Sequence, residues 1–315
     1  MSAHVVRLTP ELTPVADGLE FPEGPVAMAD GSILLVEMMG PRLTMVHPDG
    51  SKETVAEVDG GPNGLAIGPD GAGYLCNNGG AFKRIELNGM LFPGGFDPDL
   101  YIGGRIQRVD LHTGDVTDLY TECDGRPLRA PNDIVMDGHG GFWFTDHGIR
   151  DTGARTADLS SIYWARVDGS EIREVAFPTD SPNGIGLSPD LWTLYWAETH
   201  TNRVRQRRVV GPGELAPSVP LDPGELLAGF GGFQYLDSLA VDDEGFVCVA
   251  TIADAGITAI SPDGATIEHH ATDDPMTTNI CFGGEDLCAA FVTLSATGRL
   301  VSFPWPRVGL RLPHC

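Results

Sequence analysis

Long apolar runs are missing from this chain. Nowhere do roughly 18 apolar residues follow one another without interruption, which excludes a helical membrane span of ordinary length. The segment Met1 to Asp17 lacks a basic stretch followed by an apolar one, so no secretory leader is expected and a soluble, cytoplasmic protein is. Basic residues are scarce, 20 Lys and Arg against 44 Asp and Glu, for a formal charge of −24. That balance repels a nucleic-acid backbone or an anionic membrane, and neither is expected as a partner. Cysteine is sparse and unpatterned: Cys76, Cys123, Cys248, Cys281, Cys288 and Cys315 form no CxxC pair and no metal-ligand spacing with histidine. They read as reduced thiols, with Cys76, Cys248 and Cys288 in apolar strand patterns as small buried hydrophobes. A GxSxG nucleophile elbow, a Walker loop and a strand-helix dinucleotide fingerprint are also absent, which argues against an NTPase or a Rossmann enzyme.

Turn residues, by contrast, are abundant. The 315 residues include 41 Gly and 24 Pro beside 42% apolar residues, a composition suited to an all-β fold with many tight turns. All-β propellers reach this length as one unit, so residues 1–315 are read as a single domain.

An internal repeat organises the chain. Six segments align: Pro22-Glu23-Gly24-Pro25 to Leu35, Pro62-Asn63-Gly64-Leu65 to Leu75, Pro131-Asn132-Asp133-Ile134 to Phe144, Pro182-Asn183-Gly184-Ile185 to Trp196, Leu236-Asp237-Ser238-Leu239 to Val249, and Thr278-Asn279-Ile280-Cys281 to Val292. In most, a polar residue precedes a short apolar strand, a turn and a second apolar strand, which is an antiparallel hairpin. A second strand pair follows several of them, as at Arg42 to Val46 and Glu53 to Val58. Four strands per repeat and six repeats predict a six-bladed β-propeller with a central channel. The last repeat lacks a strand, and the orphan segment Leu12 to Ala16 is expected to complete it and close the ring. The polar positions are spaced by 40, 69, 51, 54 and 42 residues, which exposes an insertion at Ala81 to Gly104. Such a length suits a lid as well as a surface excursion.

In a propeller the first strand of every blade lines the channel, so the six opening residues converge. They are Glu23, Asn63, Asn132, Asn183, Asp237 and Asn279, and all carry a side-chain oxygen. Two carboxylates with amide carbonyls form a hard-donor set for one divalent cation, Ca²⁺ foremost, with Mg²⁺ or Mn²⁺ as alternatives. Without histidine or cysteine in the ring, zinc is disfavoured. Asn-Gly is also a common turn pair, which accounts for Asn63 and Asn183 but poorly for Glu23-Gly24-Pro25, Asn132-Asp133 or Asp237-Ser238. The second strands return to the same face, where their ends include Asp146-His147-Gly148 and Glu198-Thr199-His200. His147 and His200 are candidates for substrate contact or proton transfer, and Asp146 and Glu198 for structural hydrogen bonds.

The segments Phe21-Pro22-Glu23-Gly24-Pro25, Pro131-Asn132-Asp133 with Gly141-Phe142-Trp143-Phe144-Thr145-Asp146, and Ser181-Pro182-Asn183-Gly184 with Leu187-Ser188-Pro189-Asp190 together resemble the senescence marker protein, gluconolactonase and luciferin-regenerating-enzyme family. The resemblance covers nearly the whole chain. It implies a six-bladed propeller with one catalytic divalent cation in the channel, opening lactones or, in some relatives, organophosphates. By motif, Glu23, Asn183 and Asp237 match the family's metal ligands, and Asn132 matches an asparagine that ligates the metal or contacts substrate. The pattern departs at Leu236-Asp237-Ser238, where Pro-Asp-Gly is commoner, and at His147, where many members carry proline. The pocket is therefore not expected to copy that of a sugar lactonase.

The expected function is a metal-dependent lactonase acting on a small-molecule lactone or ester. The cation would polarise the carbonyl, Asp237 would act as general base or direct nucleophile, and Glu23 would stay a fixed ligand. Asn63, Asn132, His147, His200 and Asn279 would face the substrate. Alternatives on the same ring are an organophosphate triesterase and a non-catalytic calcium-binding propeller. Met38, Met39, Phe82 and Phe92 at the predicted rim hint at a substrate less polar than a sugar acid.

Overall fold

A computed structural model describes residues 5–219 and 222–314; Cys315 lies outside the described residues. Every regular element in it is a strand, and the strands assemble into six radial sheets, a six-bladed β-propeller. Blade one consists of Pro22–Ala27, Ile33–Glu37, Arg42–Val46 and Lys52–Glu57, in that order from the channel outward. The inner strands of the next five blades are Pro62–Ile67, Pro131–Met136, Pro182–Leu187, Tyr235–Val241 and Thr277–Gly283.

In blade six, Thr13–Ala16 pairs antiparallel with the third strand, Arg299–Pro304, as its outer strand. A second N-terminal strand, which the sequence pattern did not suggest, runs parallel to the outer strand of blade five: Val5–Leu8 beside Ile267–Ala271.

Apolar alternation along each strand places one hydrophobic cluster at every blade interface. Tyr74, Tyr120, Phe142 and Phe144 fill the seam between blades two and three, while Trp143, Trp164 and Trp196 fill that between blades three and four. The seam between blades six and one holds Leu19, Ile33, Leu35 and Leu300, with Val15 and Ala16 of the N-terminal strand packed on it. Each fully buried large side chain in these seams contributes roughly 1.5–3 kcal/mol. Four of the five described cysteines are buried, and none of the five forms a disulfide. Cys288 departs from expectation, since it sits half-exposed in the turn before Ala289–Leu294 rather than within a strand.

The 81–104 insertion leaves blade two between Gly73–Asn77 and Arg105–Val109. It carries its own hairpin, Arg84–Leu87 with Met90–Pro93, joined by Asn88 and Gly89 at φ 53° and 76°. Two successive positive φ values give the turn the twist a two-residue hairpin needs, which is why Asn-Gly occurs here. This hairpin crosses the propeller face. Leu91 donates its amide to Ala296 of blade six at 2.8 Å, Arg84 pairs with Glu20 at 2.9 Å, and the Tyr101 hydroxyl donates to the Arg129 carbonyl at 2.6 Å.

Candidate active site

The six opening residues occupy equivalent places near the start of the six inner strands. Glu23, Asn63, Asn132, Asn183, Asp237 and Asn279 are all buried, none more than 7% exposed. A β-bulge interrupts the pairing of every inner strand at this level, between Glu23 and Val26, Pro62 and Leu65, Pro131 and Ile134, Pro182 and Ile185, Leu236 and Leu239, and Thr277 and Asn279. A bulge re-aims a side chain out of the ordinary pleat. Six bulges at one level are how six sheets that pack face to face can all present a polar side chain at the channel.

The glycine after the ring residue has a role unlike the turn role its sequence suggested. Asn63-Gly64 and Asn183-Gly184 lie within strands, not at turns. A Cβ on Gly24 would stand 2.6 Å from the Asn63 carbonyl oxygen, one on Gly64 2.5 Å from that of Asn132, and one on Gly184 2.8 Å from that of Asp237. The missing side chain therefore lets the ring residue of the next blade come close.

Several ring oxygens have no hydrogen-bond partner: Glu23 Oε2, Asn63 Oδ1, Asn132 Oδ1 and Asn183 Oδ1. Buried polar atoms are seldom left so, and four at one level mark a place for an electrophile. The amide nitrogens fix their direction. Asn183 Nδ2 donates to Thr199 Oγ1 at 3.2 Å, and Asn63 Nδ2 to the Met38 sulfur at 3.7 Å, which leaves the oxygen as the unpartnered end of each amide. Asn279 differs, because its Oδ1 accepts the Ile280 amide at 2.8 Å.

Three carboxyl groups share this region. Burial pushes Glu23 well above the usual carboxylate range, and the charges of Asp237 and Asp133 add to it. Burial likewise lifts Asp237 to about 7, against a hydrogen bond from Asn183, and lifts Asp133 to about 7, against the amides of Ile134, Ile185 and Leu239. Clustered acids without a counter-charge hold their protons, and a cation reverses that preference. Among the described residues no three histidine, cysteine or carboxylate groups could hold an ion by themselves. A cation here would depend on the asparagine oxygens. The donor set is wholly oxygen and fits a hard cation.

The second-strand ends lie beside the ring, tied there by one repeated backbone bond: Met38 to Phe21, Asn78 to Gly61, His147 to Ala130, Thr199 to Ser181 and Ser295 to Met276, all at 2.9–3.1 Å. Asp146 accepts the amides of Arg129, Ala130 and Gly148 at 2.7, 2.7 and 3.0 Å, so it anchors the linker into blade three. Glu198 is held by Thr201 at 2.7 Å and Arg205 at 3.0 Å.

His147 is buried, and burial pushes it down to about 4. Its Nδ1 lies 3.1 Å from the Gly148 carbonyl, which can only accept. Nδ1 is therefore protonated and Nε2 carries the free lone pair. His200 is exposed, its ring edge-on to His147 at 5.9 Å and to Tyr235 at 5.6 Å. Phe82 of the insertion meets His147 at 6.2 Å.

Sequence reasoning placed Met38 at the rim but missed Asp133 and Thr199 as shapers of the site. Thr199 stands next to His200 at a strand end already singled out, but only the fold brings it to Asn183. A cavity of about 510 Å³ fills the channel on the opposite side of the ring, bordered by Gly31, Gly284 and the tail segment 310–313. It does not lie at the second-strand ends.

A propeller whose inner strands begin with a ring of buried oxygen donors is the class of protein defined here. The chain belongs to the SMP-30/Gluconolactonase/LRE-like family, whose model matches residues 21–296. It is 25% identical over 242 residues to lactonase drp35 of Staphylococcus epidermidis, an alignment covering 76% of this chain and 65% of that relative's length. The calcium-binding protein regucalcin of Agrobacterium tumefaciens superposes with a TM-score of 0.72 at 20% identity, over 98% of this chain and all 100% of the other. A gluconolactonase of Xanthomonas campestris superposes with a TM-score of 0.71 at 21% identity, over 94% and 90%. The two superpositions bear on the fold.

Proposed function

We propose that this chain is a divalent-metal-dependent hydrolase that opens a small-molecule lactone. The observation that carries the reading is the set of buried, unpartnered oxygens on Glu23, Asn63, Asn132 and Asn183 beside the Asp237 carboxyl group. The family and its members named lactonase and gluconolactonase support the reaction class. Glu23, Asn132, Asn183 and Asp237 would hold the cation, Ca²⁺ foremost, with Asn63 and Asn132 turned also toward substrate. Bound there, the cation supplies Lewis-acid polarisation of the lactone carbonyl and stabilises the oxyanion that forms.

The chain's own groups do the remaining work. Asp237 accepts a proton from the water whose oxygen attacks the carbonyl carbon. As the ring carbon–oxygen bond breaks, the same proton passes to the departing alkoxide, and the product is a hydroxy acid. Glu23 keeps its place and balances charge. His147, neutral with a free Nε2 lone pair, accepts a hydrogen bond from the water or substrate, while His200, Asn63 and Asn279 orient the ring.

Chelation tests the metal half of the proposal. EDTA should abolish lactone hydrolysis and lower the melting temperature, and added Ca²⁺ should restore both; unchanged activity and stability would remove the cation from the account. Asp237→Asn tests the other half, with an expected loss of about 10²–10⁴-fold in rate while cation binding persists. Full activity in that variant would mean another group takes the proton.

A further inference from the structure

We infer that the site selects a neutral lactone bearing a hydrophobic substituent, not a polyhydroxylated or anionic one, an inference that rests on the hydrolase reading above. Its first ground is an apolar wall. Met38, Leu91 and Met276 form a buried cluster with Phe82, Phe92 and Ile252, drawn from blades one, five and six and from the insertion. Met38 ties this wall to the ring, its sulfur lying 3.7 Å from Asn63 Nδ2 and 3.5 Å from Asn78 Nδ2. An aromatic ladder continues outward from Phe82 through His147, His200 and Tyr235 to Phe233, with centroid steps of 6.2, 5.9, 5.6 and 5.6 Å, and Phe233 is 79% exposed.

The second ground is that, beyond the ring residues and the two histidines already assigned to the reacting lactone group, the polar side chains around the wall are engaged. Asn77 donates to the Asp59 carbonyl and to Gln107, and its oxygen accepts the amides of Gly61 and Gly79. Asn78 accepts the amides of Gly80 and Ala81 at the root of the insertion. A polyhydroxylated ring needs side chains free to pair with each hydroxyl, or its desolvation opposes binding. Cations are committed as well: Lys83 to Asp97, Arg84 to Glu20, Arg129 to Asp158 and Arg150 to Asp180, at 3.2, 2.9, 2.9 and 2.6 Å. A phosphate or carboxylate on the substrate would have to break one of these pairs within a chain of net charge −24.

The test is proton release by the Ca²⁺-loaded full chain on γ-butyrolactone, its methyl, propyl, pentyl and heptyl derivatives at the ring carbon next to oxygen, and glucono-δ-lactone. kcat/KM should rise about fourfold for each methylene buried until the wall is filled, with glucono-δ-lactone below the propyl compound. Phe82→Ser and Met38→Ser should flatten that slope, and Phe82→Leu should keep it. Binding of 2-alkylcyclopentanones by calorimetry, which needs no turnover and no variant, should show the same dependence on chain length. A flat slope with hydrolysis intact, or glucono-δ-lactone as the best substrate, would overturn this inference and leave the hydrolase reading standing. Failure to open any of the lactones would overturn both.

Discussion

The Asn183 amide nitrogen donates to the Thr199 hydroxyl at 3.2 Å, and this bond helps fix which end of the amide is left without a partner. Without it, only the hydrogen bond from Asn183 to the Asp237 carboxyl would oppose rotation about the last torsion of the amide. Thr199→Val keeps the shape and removes the acceptor. Calcium affinity should then fall roughly tenfold, the usual consequence of losing a group that orients a ligand. Thr199→Ser should retain it. Calorimetric titration of Ca²⁺ into the two variants separates them, and equal affinities would show that Asn183 is fixed by other contacts.

Glu23 allows a prediction whose sign changes with the cation. Its carboxyl shares a buried region with Asp237 and Asp133, and burial followed by their charges disfavours its ionised form. In metal-free protein Glu23→Gln should therefore raise stability, by about 1 kcal/mol or about 2 °C in melting temperature. With saturating Ca²⁺ the order should reverse, because on the proposed reading the variant has lost a charged ligand. Thermal melts with EDTA and with Ca²⁺ provide both readings. A variant less stable under both conditions would mean that Glu23 acts through packing alone.

Much of this site could be read before the structure, and the boundary of what could be read has a physical basis. The six oxygen-bearing residues were legible because a propeller repeats its inner strand in sequence as well as in space, so Glu23, Asn63, Asn132, Asn183, Asp237 and Asn279 fell into one column. The hairpins and the orphan strand before Ala16 were legible for the same reason. Contacts between blades have no such periodicity. Asp133 reaches the Ile185 amide of the next blade at 3.4 Å, and Thr199 reaches Asn183 across its own hairpin, partners that no spacing announces. The strand Val5–Leu8 was missed because its side chains are exposed and show no apolar alternation.

His147 predicts an acid-labile element. Its pKa falls to about 4 from an ordinary 6.5 because burial disfavours the imidazolium, with the charges of His200 and Arg150 adding and the Gly148 carbonyl and Asp180 opposing. A histidine depressed in the folded state contributes stability that is complete above the unfolded pKa and is lost as the pH falls from 6.5 towards 4. Between pH 7 and pH 4.5 this amounts to roughly 2 to 3 kcal/mol. His147→Gln, which can still donate to a carbonyl, should lose that much less over the same interval in urea titrations. Identical pH profiles would place His147 in a more hydrated setting than its burial implies.

The glycines of the ring provide the sharpest test of how the repeat makes the site. If Gly184 served only a turn, alanine would be nearly neutral, since its φ is not in the left-handed region. Instead, a methyl group there would strike the Leu239 amide and stand 2.6 Å from the Ser238 carbonyl carbon, backbone atoms that cannot rotate away. Two residues along the same strand, a methyl on Gly186 would meet only the Leu239 and Val241 side-chain ends, at 2.8 and 3.1 Å, which can shift. Gly184→Ala should therefore cost about 3 kcal/mol, at the upper end for overpacking, and Gly186→Ala about 1 kcal/mol. Because the displaced backbone carries Asp237, Gly184→Ala should also weaken Ca²⁺ binding whereas Gly186→Ala should not. Melting and calcium titration of the pair check both statements, and equal effects would mean that blade four does not set the position of the Asp237 carboxylate.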